Sequence, residues 1–357
     1  MSTAPAPRDP GRPLSGRQEG ILRAVVERFI ATGAPVGSRH IAGAGGIDFA
    51  SSTVRYELAR LEDMGYLGHP HTSAGRVPTD RGYRYYVDVL LPADPPAAPP
   101  GGLVAIERAL DLGEMRKEVD AALQNLAEVV SQLTCLLGVV TAPAPQAATV
   151  RHVEVLLLQP QLVMAVVITS TGAVHKRIFA FEGAVDPGLV DWARAFFNER
   201  VTGMPVGARI LESRLADPSL SARERAFADA LSPAVTEVAD AAPEHLYVAG
   251  QARFLADARQ DLAAIGALME QLEQRATLLD MLRRALSRHE VYLHIGEELA
   301  APGLRGLSMV AANYGVARRN LGTISLIGPT RMDYRLAIGT VREAATALSR
   351  YLEGVYE

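Results

Sequence analysis

Ser51-Ser52-Thr53-Val54-Arg55-Tyr56 gathers hydroxyls, a guanidinium and a phenol into about one and a half helical turns, at the start of an apolar-periodic segment. Arginine can grip guanine with two hydrogen bonds, and hydroxyls can reach base edges or phosphates. Arg55 is the first candidate for a base reader, with Ser51, Ser52, Thr53 and Tyr56 beside it. Downstream, Arg76, Arg81 and Arg84 continue the cationic series, and His71 and Ser73 lie in the polar turn just before Arg76. These ten residues are the candidate nucleic-acid contacts.

Other constellations point to no chemistry. His289-Glu290 and His294 miss the zinc-protease spacing, because histidines five apart share neither a helix face nor a strand face. His69-Pro70-His71 lacks a third ligand. There is no phosphate-binding loop, dinucleotide fingerprint or nucleophile elbow. The expectation is a non-enzyme without cofactor or metal. Cys135 is the only cysteine, which excludes an internal disulfide; between Leu133 and Leu136-Leu137 it reads as a buried, inert thiol.

The elements that position the candidate contacts can be read around them. Arg17–Ala31 carries Ile21, Leu22, Val25, Phe29 and Ile30 on one face and stops at Gly33, with Pro35 beyond. Ser38–Ala44 is a short second helix. The third opens at Ser51 and turns Val54, Leu58 and Leu61 inward. Tyr66–His69 and Arg76–Pro78 flank a polar turn as a small hairpin, followed by a helix over Thr79–Leu91. Three helices and a hairpin make a winged helix-turn-helix, in which the start of the second motif helix enters the major groove. The same fold can also bind proteins.

Charge gives this reading limited help. The whole chain has 36 Lys and Arg against 40 Asp and Glu, a formal charge of −4, so a polyanion must be held by a local patch. Residues 14–91 hold nine arginines against eight acidic residues. All basic residues but Lys117 and Lys176 are arginines, the better donors for bidentate contacts.

A proline-rich stretch at 1–13 is expected to be a disordered leader, and a second cluster at 92–102 to be a linker between domains. Val119, Leu123, Leu126, Val130, Leu133 and Leu137 form one helical stripe. His152–Leu158, Leu162–Ser170 and Ala173–Phe181 read as an antiparallel meander, and Pro187–Arg200 as a helix. Residues 221–288 look mostly helical, with Leu262, Ile265, Met269 and Leu272 on a second stripe. Strands return at Val291–Ile295, Leu307–Tyr314 and Gly322–Ile327. Asp333–Glu357 closes the chain as a helix that Thr330 and Asp333 could cap as a box. The fold class is α+β, interrupted by a mostly helical insertion. The longest apolar run, Leu162 to Ile168, is far too short to span a bilayer, so neither export nor a membrane location is expected and the cytoplasm fits.

Three long motifs then carry a resemblance. Leu61-Glu62-Asp63-Met64-Gly65-Tyr66-Leu67, His71-Thr72-Ser73-Ala74-Gly75-Arg76-Val77-Pro78-Thr79 and Gly82-Tyr83-Arg84-Tyr85-Tyr86-Val87-Asp88 closely resemble the heat-inducible transcription repressor (HrcA) family. Ile327-Gly328-Pro329-Thr330-Arg331-Met332-Asp333-Tyr334 looks like its C-terminal signature. The resemblance implies a winged helix over 14–91, a GAF-like domain over 103–185 and 290–357, and a dimerising domain inserted at 186–289. It implies a homodimer on an inverted-repeat operator ahead of chaperone genes, kept active by the GroE chaperonin. Leu262, Ile265, Met269 and Leu272, with Arg331 and Tyr334 of the signature, are the candidate dimer contacts. Tyr56 stands where the family usually has a polar amide, and Glu298 where it tends to have Asn. A metabolite-responsive regulator with a ligand in the GAF-like domain is the other reading.

Overall fold

The computed structural model describes residues 14–42, 49–70, 75–92, 99, 101–111, 119–143, 148–170, 172–206, 210–238, 246–257, 291–299, 304–316 and 319–356. The expected leader, most of the 92–102 linker, and Leu262, Ile265, Met269 and Leu272 lie outside the described residues.

Helix α1 (Gly16–Thr32) begins with a reciprocal box: the Gln18 amide N–H donates to Ser15 Oγ, and the Ser15 amide donates to the Gln18 side chain. It ends where Gly33 takes φ +65°, a left-handed conformation that glycine adopts freely. Ile21, Leu22, Val25 and Val26 are buried, while Phe29 and Ile30 are half-buried. Helices α2 (Ser38–Ile41) and α3 (Ser51–Asp63) follow, and Val54, Leu58 and Leu61 form the buried side of α3. Strands β1 (Leu67–Gly68) and β2 (Val77–Pro78) pair antiparallel, and Val36 bridges Arg76 as a third, one-residue strand. Thr79 caps α4 (Asp80–Tyr85), which continues as a π-helical turn, Tyr86–Leu90, where a single α-helix is expected.

The rest of the chain is α+β with only antiparallel strand pairs among the described residues. Helices α5 (Gly102–Leu110) and α6 (Val119–Thr134) precede β3 (Leu137–Thr141). Strands β4 (Val150–Gln159), β5 (Leu162–Thr169) and β6 (Val174–Ala180) make a separate three-stranded sheet. Helices α7 (Pro187–Val201), α8 (Ile210–Leu215), α9 (Ala222–Leu231) and α10 (Pro233–Thr236) come next. The chain then gives β7 (Leu246–Ala249), α11 (Gln251–Asp257), β8 (Tyr292–Ile295), β9 (Leu307–Val316), β10 (Arg319–Pro329) and α12 (Tyr334–Tyr356). The five-stranded sheet runs in the order β7-β3-β10-β9-β8.

Three cores organise these elements. The first is continuous from Leu14 to Leu352: it joins α1, α3 and α4 to α6, α12 and one face of the five-stranded sheet. A second, smaller core lies on the other face of that sheet around Leu137, Val139, Phe254, Met309 and Ile327. The third runs from Ala148 to Val238, packing α7 to α10 on the β4-β5-β6 sheet. A sequence boundary at 185 therefore cuts through one core, and the meander sits with the helices that follow it, not with the five-stranded sheet. Strand hydrophobicity alone could not assign it, because β-rich runs read alike in either sheet.

Three local expectations are corrected. The α6 stripe ends before Leu137, which starts β3 instead, because Cys135 takes φ +57° and turns the chain out of the helix. That turn leaves the Cys135 side chain exposed rather than buried among its leucine neighbours. At α12, Asp333 caps the helix by accepting the Leu336 amide at 3.0 Å, so Thr330 is not the capping side chain.

Candidate nucleic-acid interface

The inward side of α3 is fixed by packing and by one buried polar contact. Gln18 Nε2 donates to Glu57 Oε2 at 3.0 Å, and both residues are buried. Arg17 stands 3.9 Å from the other Glu57 oxygen and lies over the Phe49 ring, 4.6 Å from its centre. At the start of the helix, Ser51 Oγ meets Ser38 Oγ of α2 at 3.1 Å. These contacts set the rotation of α3 about its axis, since a buried carboxylate must keep its donors.

That rotation turns Ser52, Arg55 and Tyr56 outward, with Thr53 half-buried. Tyr56 is 61% exposed, so its ring and hydroxyl are accessible to a partner. Arg60, one turn on, places its guanidinium 5.9 Å from the Tyr56 ring centre. Arg39 and His40 are also exposed, on α2. Sequence reasoning missed Arg39, His40 and Arg60. The signal for Arg60 was its position four residues after Tyr56, on the face opposite Val54 and Leu61.

The wing residues are arranged differently. Arg76 Nη2 contacts Glu62 Oε2 at 2.7 Å, and its Nη1 contacts His69, which itself meets Glu62 at 2.6 Å. A phosphate would have to compete with Glu62 for that guanidinium. Arg81 is exposed and stacks over Tyr66 at 4.7 Å, leaving its outer edge open. His71 and Ser73 lie outside the described residues.

Arg84 points away from this surface. Its Nε donates to Glu298 Oε1 at 3.0 Å, one Nη contacts Glu298 Oε2, the same Nη reaches the Leu293 carbonyl at 3.0 Å, and the other Nη meets Asp88 at 3.4 Å. Burial works against its charge, but the hydrogen bond and charge of Glu298 outweigh it and hold the guanidinium above its usual pKa. The sequence gives no spacing signal for this, because the partner is more than two hundred residues away.

Tyr334 is likewise buried within its own chain. It is fully covered, packs 5.6 Å from the Tyr83 ring, donates to the Thr330 carbonyl at 2.6 Å and meets Ser308 Oγ at 2.9 Å. It cannot serve as a subunit contact without opening that core. Arg331 is half-buried beside Gly33. Among the described residues no three His, Cys, Asp or Glu side chains are grouped to hold a metal. Among them, too, no helix is long and apolar enough to cross a membrane.

Comparison with known proteins adds the family. Residues 120–338 match the model of the HrcA protein C-terminal domain. The heat-inducible transcription repressor HrcA of Anaeromyxobacter sp. (strain K) is 33% identical over 350 residues, covering 96% of this chain and 98% of that protein. The repressor of the same name from Nocardia farcinica is 34% identical over 341 residues, covering 94% and 95%. A crystal structure described as a hypothetical protein shares the fold, with a TM-score of 0.61 and 21% identity, covering 96% of this chain and 99% of that one. Relatives of this kind, matched over nearly their full length, define the class as a transcription repressor. The chain belongs to the HrcA family of heat-inducible transcription repressors.

Proposed function

We propose that the protein represses heat-shock genes by binding, as a homodimer, to an inverted-repeat operator ahead of chaperone genes at normal temperature. Residues 14–91 act as a winged helix-turn-helix, with α3 in the major groove and the wing along the backbone. The observation that carries this is the rotation of α3, which buries Val54, Glu57, Leu58 and Leu61 and presents Ser52, Arg55 and Tyr56 together. The five-stranded sheet with α5, α6 and α12 is the GAF-like body, and residues 148–238 are the inserted dimerising domain.

The insertion offers a surface suited to self-association. In β5 the residues Val163, Ala165 and Val167 face the inner core, so Leu162, Met164, Val166 and Ile168 face outward. Leu156 and Ile178 flank Met164 in register, and Val174 flanks Ile168. Val174 and Ile178 are 61% and 58% exposed. A two-fold dimer through this face would place two reading heads on an inverted repeat.

The setting is the cytoplasm, with a GroE-type chaperonin returning heat-damaged repressor to its active state. A small loss of stability changes the active population several-fold, which gives heat a physical route to derepression. The names of the relatives favour this reading over a metabolite-responsive regulator.

The test is binding to an inverted-repeat chaperone-promoter duplex against a scrambled one, at two salt concentrations, with chaperonin added and omitted. Preference for the repeat of about 10³-fold or more is expected. Equal, salt-sensitive binding to both duplexes in every condition would overturn the proposal.

A further inference from the structure

The joint between the reading head and the α+β body holds polar groups that neither DNA contact nor core packing uses. Arg84 of α4 grips both carboxylate oxygens of Glu298 and the Leu293 carbonyl. One turn earlier on the same helix, Asp80 accepts the Glu297 amide at 3.0 Å. Glu298 is itself fixed, because its Oε2 also accepts the Ile295 amide at 3.0 Å. Gly296 takes φ +53°, and any side chain there would collide with the Asp80 carboxylate. Behind these contacts Tyr83 packs on the buried Tyr334 ring.

A cation and an anion on one helix face thus meet an anion and a backbone donor on one short turn. The pairing is two-point and bidentate, so it fixes orientation as well as distance. The apolar core that head and body share resists their separation but is non-directional, so the polar pair adds the angular constraint.

We propose that the Arg84–Glu298 and Asp80–Glu297 contacts form a latch that fixes the angle of each reading head, and so sets the operator half-site spacing the dimer accepts. The inference rests on the operator-binding reading above. Arg84 and Glu298 are positioning residues here, and neither touches DNA. Adding one base pair between half-sites turns one of them by roughly 35° and moves it about 3.4 Å. A latched head resists that change, whereas an unlatched head, held by the apolar core alone, follows it more readily.

The experiment uses the full-length protein, Arg84→Ala, Glu298→Ala, the double variant, and the charge-swapped pair Arg84→Glu with Glu298→Arg. Each is titrated against the operator at its natural spacing and with one or two base pairs inserted or removed, and exchange of the Glu297 amide is followed by mass spectrometry. Wild type is expected to prefer the natural spacing. Both single variants should lose roughly tenfold or more of that preference, and the double variant no more than either single one. The swapped pair should recover part of it, and Glu297 exchange should accelerate in both single variants.

If Arg84 instead holds a phosphate, Arg84→Ala weakens all spacings equally and lowers the salt dependence, while Glu298→Ala leaves binding unchanged or tighter. That pattern overturns the latch. So does unchanged spacing preference with unchanged Glu297 exchange, and so does tighter binding at every spacing in both variants, which would mean that the contact holds the head off DNA. If wild type binds no inverted repeat at all, the operator reading fails first, and the exchange data still decide whether the joint is a latch.

Discussion

Arg55→Ala isolates base reading from folding. Arg55 is exposed on the outward face of α3, so truncating it removes no core packing and leaves the buried Gln18–Glu57 contact in place. Stability should stay within about 0.5 kcal/mol of wild type. A bidentate guanine contact contributes about 1–3 kcal/mol of discrimination. A two-fold dimer forfeits it at both half-sites, so operator affinity should fall by about 2–6 kcal/mol, on the order of 30-fold to 10⁴-fold. Fluorescence anisotropy with the operator and a scrambled duplex measures this, and a thermal melt supplies the folding control. A phosphate role gives another signature: uniform weakening on both duplexes, with the slope of log K against log salt falling by about 0.9 for each phosphate no longer neutralised. Unchanged discrimination together with an unchanged slope would refute the assignment of Arg55 to the interface.

Three further outcomes follow from the geometry. Tyr334→Phe leaves Ser308 without its partner and frees the Thr330 carbonyl, so unfolding stability should drop by about 1–3 kcal/mol in denaturant titration, with dimerisation unchanged. Ile178→Asp on the outer face of the three-stranded sheet should convert dimer to monomer in sedimentation and weaken operator binding, without lowering the melting temperature of the monomer. The Glu154 carboxyl is held below its usual pKa, first by its hydrogen bond with His152 and then by Arg194, against an opposing burial effect. Its contribution is therefore present above the ordinary carboxylate range and lost as pH falls through the depressed value. Glu154→Gln should flatten the decline of melting temperature as pH falls through and below the ordinary carboxylate range, and parallel curves for both proteins would count against it.

What the sequence made legible was local. The periodicity of Val54, Leu58 and Leu61 and the stop at Gly33 are decided by neighbours within one or two turns, and each stands in the structure as expected. The grouping of the β4-β5-β6 meander with α7 to α10 was not legible, because sheet membership is decided by contacts tens of residues apart. Cys135 misled for a related reason: Leu136 and Leu137 are buried and Leu133 is half-buried, but the left-handed turn between them faces solvent. Arg84 looked like a nucleic-acid contact because charge and chain position were all the sequence offered. Glu298, a departure from the family pattern, acquires a physical reason only when the two meet.

The continuous core from Leu14 to Leu352 couples reading to stability. Tyr83 of the head packs on Tyr334 of the body, and α1, α3, α6 and α12 share one apolar interior. Exposing the head's share of that interior also uncovers body residues, so the head cannot unfold at its own isolated stability. Heat acts on such an assembly cooperatively, because one melting event removes the helix orientation, the joint and the sheet face behind it. The three-stranded unit has its own core from Ala148 to Val238, and among the described residues its aromatic contacts, including Trp192–Phe196 and Phe181–Phe227, stay within it. If the proposed dimer forms through this unit, it keeps two subunits together while the heads lose their structure. On that reading, the expected outcome is that heat releases the operator before the subunits dissociate, with the two heads at high mutual concentration when they refold.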